Sequence, residues 1–125
     1  MKPRGVSSSE DNRRLEERTL CFAAATVNFS VTLKRNDAAS VIARRLVRAG
    51  TSIGANYREA NRAESRDDFV HKTAIALKEA SETVYWLDLC ERTDLGDKNL
   101  LQDLRQEAVE LLAIFSTINR RAKGR

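Results

Sequence analysis

The residues of this chain that could do chemistry are few, and their spacing works against catalysis. Its one histidine, His71, has Asp68 three positions before it and Asp67 four. A metal centre inside a helical bundle needs a second acid–histidine copy on a facing helix, and there is none, so these acids read instead as a helix start. Cys21 and Cys90 lie 69 positions apart, which excludes a C-x-x-C metal or redox pair. Both cysteines fall on apolar positions expected to be core, where a thiol is inert. His71 and Cys90 would be separated by about 28 Å along one helix, too far for a nucleophile and its base. Glu79 and Glu82 are i,i+3 neighbours that could act as a carboxylate pair, or equally form a solvated face with Lys78. The sequence has no glycine-rich phosphate loop, nucleophile elbow or H-E-x-x-H. It therefore predicts no enzyme, no metal and no cofactor.

Charge is more informative. Residues 34–66 carry eight basic residues against three acidic ones, whereas residues 67–94 carry three basic against seven acidic. The formal net charge of +4 is the remainder of two opposed segments. At 100° per residue, Arg44, Arg48, Arg58 and Arg62 fall within about 40° of one line. Such a stripe can track the phosphates of RNA or DNA with steep salt dependence. It can also pair with the acidic segment C-terminal to it, within one subunit or between subunits, through Glu79, Glu82 or Asp88. The basic C-terminal residues Arg120, Arg121, Lys123 and Arg125 suit either use.

The elements that must hold these side chains are helical. The only proline is Pro3, and the 125 residues suffice for one domain that needs no disulfide or metal staple. Residues 1–12 are expected to be a flexible arm, with Ser8 or Ser9 capping the first helix. Residues 13–122 form the bundle and residues 123–125 a basic tail. The first helix is predicted over Arg13–Arg35. Leu15, Phe22 and Phe29 alternate there with Thr19, Thr26 and Leu33 in a heptad-like seam, which Val27 and Val31 broaden. Asn36-Asp37 caps a second helix reaching Ala63, striped by Ile42, Leu46, Ala49, Ile53, Tyr57 and Ala60. Gly50 and Gly54 inside it imply close approach of a neighbouring helix, since each costs about 1 kcal/mol relative to alanine. Ser65 caps a third helix running to Thr93, and Gly96-Asp97 separates it from a fourth striped by Leu100, Leu101, Leu104, Ala108, Leu111, Leu112, Phe115 and Ile118. Four long helices with short connections predict an all-α, antiparallel up-down-up-down four-helix bundle.

The third helix carries apolar residues on two sides. Ile75, Trp86 and Leu89 stand apart from the core stripe, mixed with Glu82. A helix with two apolar faces contacts two partners, so Ile75, Glu82, Trp86 and Leu89 are read as a homo-oligomer interface with Trp86 as anchor. The alternative is that Trp86 folds over a bundle edge. The polar N-terminus has no secretory character, and no window is apolar enough for a membrane span. The expectation is a cytoplasmic protein without a membrane partner.

The run SIGANYREANRAESRDDFVHK (residues 52–72), together with IALKEASETVYWLDL (residues 75–89), resembles the four-helix bundle protein family, also called the 23S rRNA intervening-sequence protein family. The match is close over the second and third helices and looser elsewhere. Gly54 stands where many members have proline and Ala60 where many have glycine, and both changes suit a continuous helix. The resemblance implies a ring-like homopentamer and kinship with the accessory variability proteins of diversity-generating retroelements. Those relatives are basic pentameric barrels that bind nucleic acid and a reverse transcriptase. It suggests no catalysis by the bundle.

Overall fold

The computed structural model describes residues 9–124 as four helices: α1 (Ser9–Ser30), α2 (Asp37–Asn61), α3 (Arg66–Arg92) and α4 (Lys98–Lys123). No strand occurs among the described residues. Their ends reflect local chemistry. Asn36 Oδ1 accepts the Ala39 N–H at 2.8 Å, Ser65 Oγ the Asp68 N–H at 3.0 Å, and Asp97 Oδ1 the Leu100 N–H at 2.9 Å. Each satisfies an orphan donor of a first turn, a contribution of about 1 kcal/mol per cap.

Consecutive helices pack side by side and α4 returns to α1, while the backbones of the diagonal pairs α1/α3 and α2/α4 stay apart and α2 meets α4 through core side chains such as Tyr57 and Phe115. The pairings run antiparallel: Arg48 meets Glu79 and Glu59 meets Lys72 across α2/α3, and Asp88 meets Arg105 across α3/α4. The architecture is an all-α up-down-up-down bundle. Phe29, Leu46, Ile53, Leu87, Leu111 and Phe115 are fully buried at its centre, each worth about 1.5–3 kcal/mol relative to exposure. Tyr57 stacks edge-on against Phe115 at 5.4 Å and donates its hydroxyl to Asn12 at the bundle end. Buried Asn119 ties α4 to α3 by donating to the Val70 carbonyl and the Thr73 hydroxyl.

Both interior glycines of α2 do what their cost implied. A Cβ on Gly50 would lie 2.8 Å from the Thr26 side chain, and one on Gly54 would lie 2.7 Å from Thr19 Oγ1. Thr19 and Thr26 are fully buried, with hydroxyls folded back onto carbonyls of their own helix. With its proton turned back along α1, the Thr19 oxygen lies against Gly54, and both the methyl and the oxygen of Thr26 lie against Gly50.

The first helix departs most from expectation. It begins at Ser9, so residues 9–12 belong to a helix and not to an arm; residues 1–8, including the Ser8 cap, lie outside the described residues, as does Arg125. It ends at Ser30, five residues before Arg35. Past Ser30 the chain tightens into i→i−3 bonds, Thr32 N–H to the Phe29 carbonyl and Leu33 N–H to that of Ser30, and Leu33 turns into the core. Gly96, at φ +85°, packs there: its Cα hydrogen faces the Phe29 ring where a Cβ would come within 2.5 Å. The Asp97 N–H next to it donates to Thr32 Oγ1, locking the α3–α4 turn onto the end of α1. Val27 and Val31 do not broaden the core face; they are 42% and 76% exposed. Cys21 is exposed too, correcting its assignment to the core.

Candidate nucleic-acid interface

The four arginines singled out by spacing form one outward ridge on α2. Arg44, Arg48, Arg58 and Arg62 are all exposed, and the span from the first to the last is about 27 Å at 1.5 Å per residue. They form two i,i+4 pairs, separated by Thr51 and Ala55, which carry no charge. Gly50, Gly54 and the apolar stripe anchor the opposite side of α2, so the register of the core fixes the direction of the ridge.

What matters chemically is how little of that charge is used internally. Arg48 Nη1 is 3.9 Å from Glu79 Oε2, and Arg58 Nε is 3.8 Å from Glu16 Oε1. Both arginines are exposed while the carboxylates they approach are largely buried, and at this length neither contact is a hydrogen bond. Arg62 donates to the Arg58 carbonyl, which leaves its charge unpaired. Arg44 has no ion pair or hydrogen bond among the described residues. Several basic groups elsewhere are committed to close partners. Arg18 donates a fork to Glu107 at 2.6 and 2.8 Å and reaches Glu110 at 2.8 Å, and these carboxylates hold its guanidinium well above the ordinary arginine value. Arg105 meets Asp88 at 2.6 Å and Lys72 meets Glu59 at 2.7 Å. Arg66 caps the last turn of α4 through the Ala122 carbonyl. Nothing in the sequence pointed to the Arg18 cluster, because its members are 89 and 92 positions apart.

The proposed interface residues of α3 lie on one half-buried strip. The Trp86 indole packs on the core edge and donates its N–H to Glu82 Oε2 at 3.0 Å, while Tyr85, 60% exposed, stands edge-on to it at 5.0 Å. Leu89 also packs against the core, and Ile75 is half-buried. Glu79, named from the sequence as a partner for the arginines rather than as part of the α3 interface, sits on the same side of α3. Only 13% of its side chain is exposed, and Oε1 is buried without a hydrogen-bond partner.

The other chemistry-bearing residues stay apart. His71 is exposed, and no group of three or more His, Cys, Asp or Glu that could hold a metal occurs among the described residues. Burial pushes the Cys90 thiol up to about 11. The Cys21 thiol donates to Glu17 and is raised by that contact, so neither cysteine is poised as a thiolate. None of the described helices is long and apolar enough to cross a membrane.

The sequence pattern of the 23S rRNA-intervening sequence protein matches residues 14–117. The chain belongs to that family. A solved structure from Bacteroides thetaiotaomicron, described as a protein with unknown function from the S23 ribosomal protein family, is 37% identical, with a TM-score of 0.78 over 87% of this chain and 97% of that one. Comparison with curated proteins finds no match. The 23S rRNA-intervening sequence proteins are not described as enzymes in either comparison. The family match covers nearly all of α1–α4, the α2 ridge included.

Proposed function

We propose that this protein is a non-enzymatic homo-oligomer, a pentamer by its family resemblance, that binds RNA or DNA phosphates along the α2 ridge. The observation that carries the reading is the charge of Arg44 and Arg62, without a carboxylate partner among the described residues, and of Arg48 and Arg58, held only by long contacts, set against the tight pairing of Arg18, Arg105 and Lys72. An exposed guanidinium without a close carboxylate offers a planar donor fork to phosphate. Four such contacts make log affinity fall by about 0.9 per contact per decade of salt, or about 100-fold between 50 and 200 mM.

Fluorescence anisotropy with labelled single-stranded RNA and duplex DNA tests this. Binding at about 50 mM salt is expected to weaken steeply by about 200 mM. Arg44→Ala/Arg48→Ala/Arg58→Ala/Arg62→Ala is expected to abolish the salt-sensitive part while leaving the helix content unchanged. Absence of binding at low salt, or binding indifferent to salt, overturns the reading. The Arg48–Glu79 contact shows that the ridge can engage the acidic side of α3, and in a second reading the arginines are consumed by such pairs, between subunits of a protein-interaction scaffold. Arg44→Ala/Arg48→Ala separates the two. Loss of the oligomer supports the scaffold, and an intact oligomer with weakened nucleic-acid binding supports the ridge.

A further inference from the structure

A cation, an aromatic ring and a second cation follow one another along the outer side of α3. Lys78, Tyr85 and Arg92 are spaced by seven residues and are all exposed. At 100° per residue they fall within about 40° of one line, and the buried positions from Thr73 to Cys90 occupy the opposite side of the helix. Tyr85 is 60% exposed, with Lys78 and Arg92 each about 10 Å away along the axis. Neither cation, nor the Tyr85 hydroxyl, has a hydrogen bond or ion pair among the described residues. The ring is not loose, because the Trp86 indole packs on the core edge and meets it edge-on at 5.0 Å, which limits its swing.

The acids nearest Tyr85 are engaged elsewhere. Glu82 accepts the Trp86 N–H, Asp88 accepts from Arg105, and Glu79 is largely buried beside Arg48. The ring therefore faces solvent between two uncommitted cations, although residues 67–94 carry an excess of acids. The line also adjoins the α2 ridge. The two helices run antiparallel with Arg48 against Glu79. Arg44 is four residues back from Arg48 and Tyr85 six on from Glu79, which puts them at levels about 3 Å apart along the bundle. Neighbouring helix axes stand about 8–10 Å apart, so a strand lying on Arg44 reaches Tyr85.

This order of groups suits a single strand. Every nucleobase has a π-face that stacks on an exposed aromatic ring without regard to sequence, while flanking cations follow the phosphates. A duplex keeps its bases stacked on one another and offers none to a side chain. The ridge alone cannot supply such a platform, because the one aromatic residue of α2, Tyr57, is 3% exposed.

We propose that Tyr85 is a stacking platform for an unpaired base of single-stranded RNA or DNA, with Lys78 and Arg92 holding phosphates of the strand to either side. This rests on the phosphate-binding part of the functional reading and adds to it a site off the α2 ridge.

The test compares oligouridylate, oligothymidylate and a mixed-sequence duplex. Anisotropy gives the affinities, and circular dichroism and light scattering check folding and assembly. Tyr85→Ala is expected to weaken binding of one or both single strands about 5- to 100-fold, with an unchanged salt slope, mass and duplex affinity. The stronger of the two single-strand losses names the sugar the site accepts. Tyr85→Phe should bind like the unmodified chain. Lys78→Ala/Arg92→Ala should lower the single-strand salt slope by about 0.7 per residue. Trp86, the one tryptophan of the chain, should change its fluorescence when a single strand saturates the unmodified protein. An unmoved Trp86 signal overturns the proposal, as does Tyr85→Ala that binds both single strands normally. It is equally overturned if Tyr85→Phe is as weak as Tyr85→Ala, if the duplex loses as much, or if the mass changes. Salt-sensitive duplex binding that ignores Tyr85→Ala, with no single-strand loss, leaves the ridge standing and removes the platform. Stacking that survives Arg44→Ala/Arg48→Ala/Arg58→Ala/Arg62→Ala keeps the platform and removes the ridge.

Discussion

The two seams of α1 are held by opposite kinds of force. Against α2 it packs as closely as two helices can, with Thr26 on Gly50 and Thr19 on Gly54 and no room for a methyl group. Against α4 it stands off. A cleft of ≈ 510 Å³ lined by Phe22, Ala25, Cys21, Leu100 and Leu104 opens between them, and the Arg18 fork onto Glu107 and Glu110 spans one end of it. Steric fit fixes the position of α1 along the α2 seam, whereas electrostatics only limits its distance from α4. A helix gripped on one flank and tethered on the other can present its free side to another molecule without unpicking the core.

The largest effect is expected from closing the tight seam. Gly54→Ala gains up to about 1 kcal/mol of helix propensity but overpacks against buried Thr19, which costs about 1–3 kcal/mol. A net loss of about 1–2 kcal/mol is expected in urea unfolding. Adding Thr19→Ala should recover much of it, since the two positions share one volume. If Gly54→Ala is neutral and uncoupled from Thr19, the contrast between the seams is gone.

The tethered seam should respond less and in a salt-dependent way. Arg18→Ala removes a forked, half-exposed ion pair and leaves two carboxylates facing each other, at a cost of about 1 kcal/mol that shrinks in high salt. Arg18→Lys should restore only part, lacking the fork. Glu110 gives the same seam a pH signature. Its carboxyl is held below its ordinary value by the Gln106 amide and then by Arg18. That stabilisation is fully present above the ordinary carboxylate value and is lost as pH falls through the lowered one. Loosening of α1 from α4 at pH below the ordinary carboxylate range should show as faster amide exchange in α1, and Arg18→Ala should flatten that dependence.

The smallest effect sharpens the comparison without disturbing either seam. Cys21 lines the open cleft and Cys90 lies in the core. Iodoacetamide should add one label per folded chain, at Cys21, and a second only on unfolding. Rapid labelling of Cys90 in the folded protein would show that the core opens as readily as the cleft.

The sequence made most of this bundle legible wherever polar and apolar residues alternate cleanly. On α2, six positions at i+3/i+4 spacing named the buried stripe, and the arginines opposite it named the ridge. The same logic failed on α1 because the run from Thr19 to Leu33 has no charge to mark its outside. Cys21, Val27 and Val31 therefore could not be told from core, although each faces out. The end of α1 was illegible for another reason: no glycine or proline stops it, and the chain simply tightens into i→i−3 bonds past Ser30. The ion pair of Arg18 depends on which helices become neighbours, and side-chain types 89 positions apart do not encode that by spacing.

The corner where Gly96 lies on Phe29 and Asp97 donates to Thr32 has a practical meaning for anyone lengthening this chain. A peptide tag or inserted loop belongs in the opposite hairpin, between Arg62 and Ser65, where exposed backbone has room to bulge. An added residue near Gly96 would pull a glycine off an aromatic ring and a cap off its helix at once. The two turns of similar length are thus unequal in kind: one is a removable strap, and the other is the keystone of its end of the bundle.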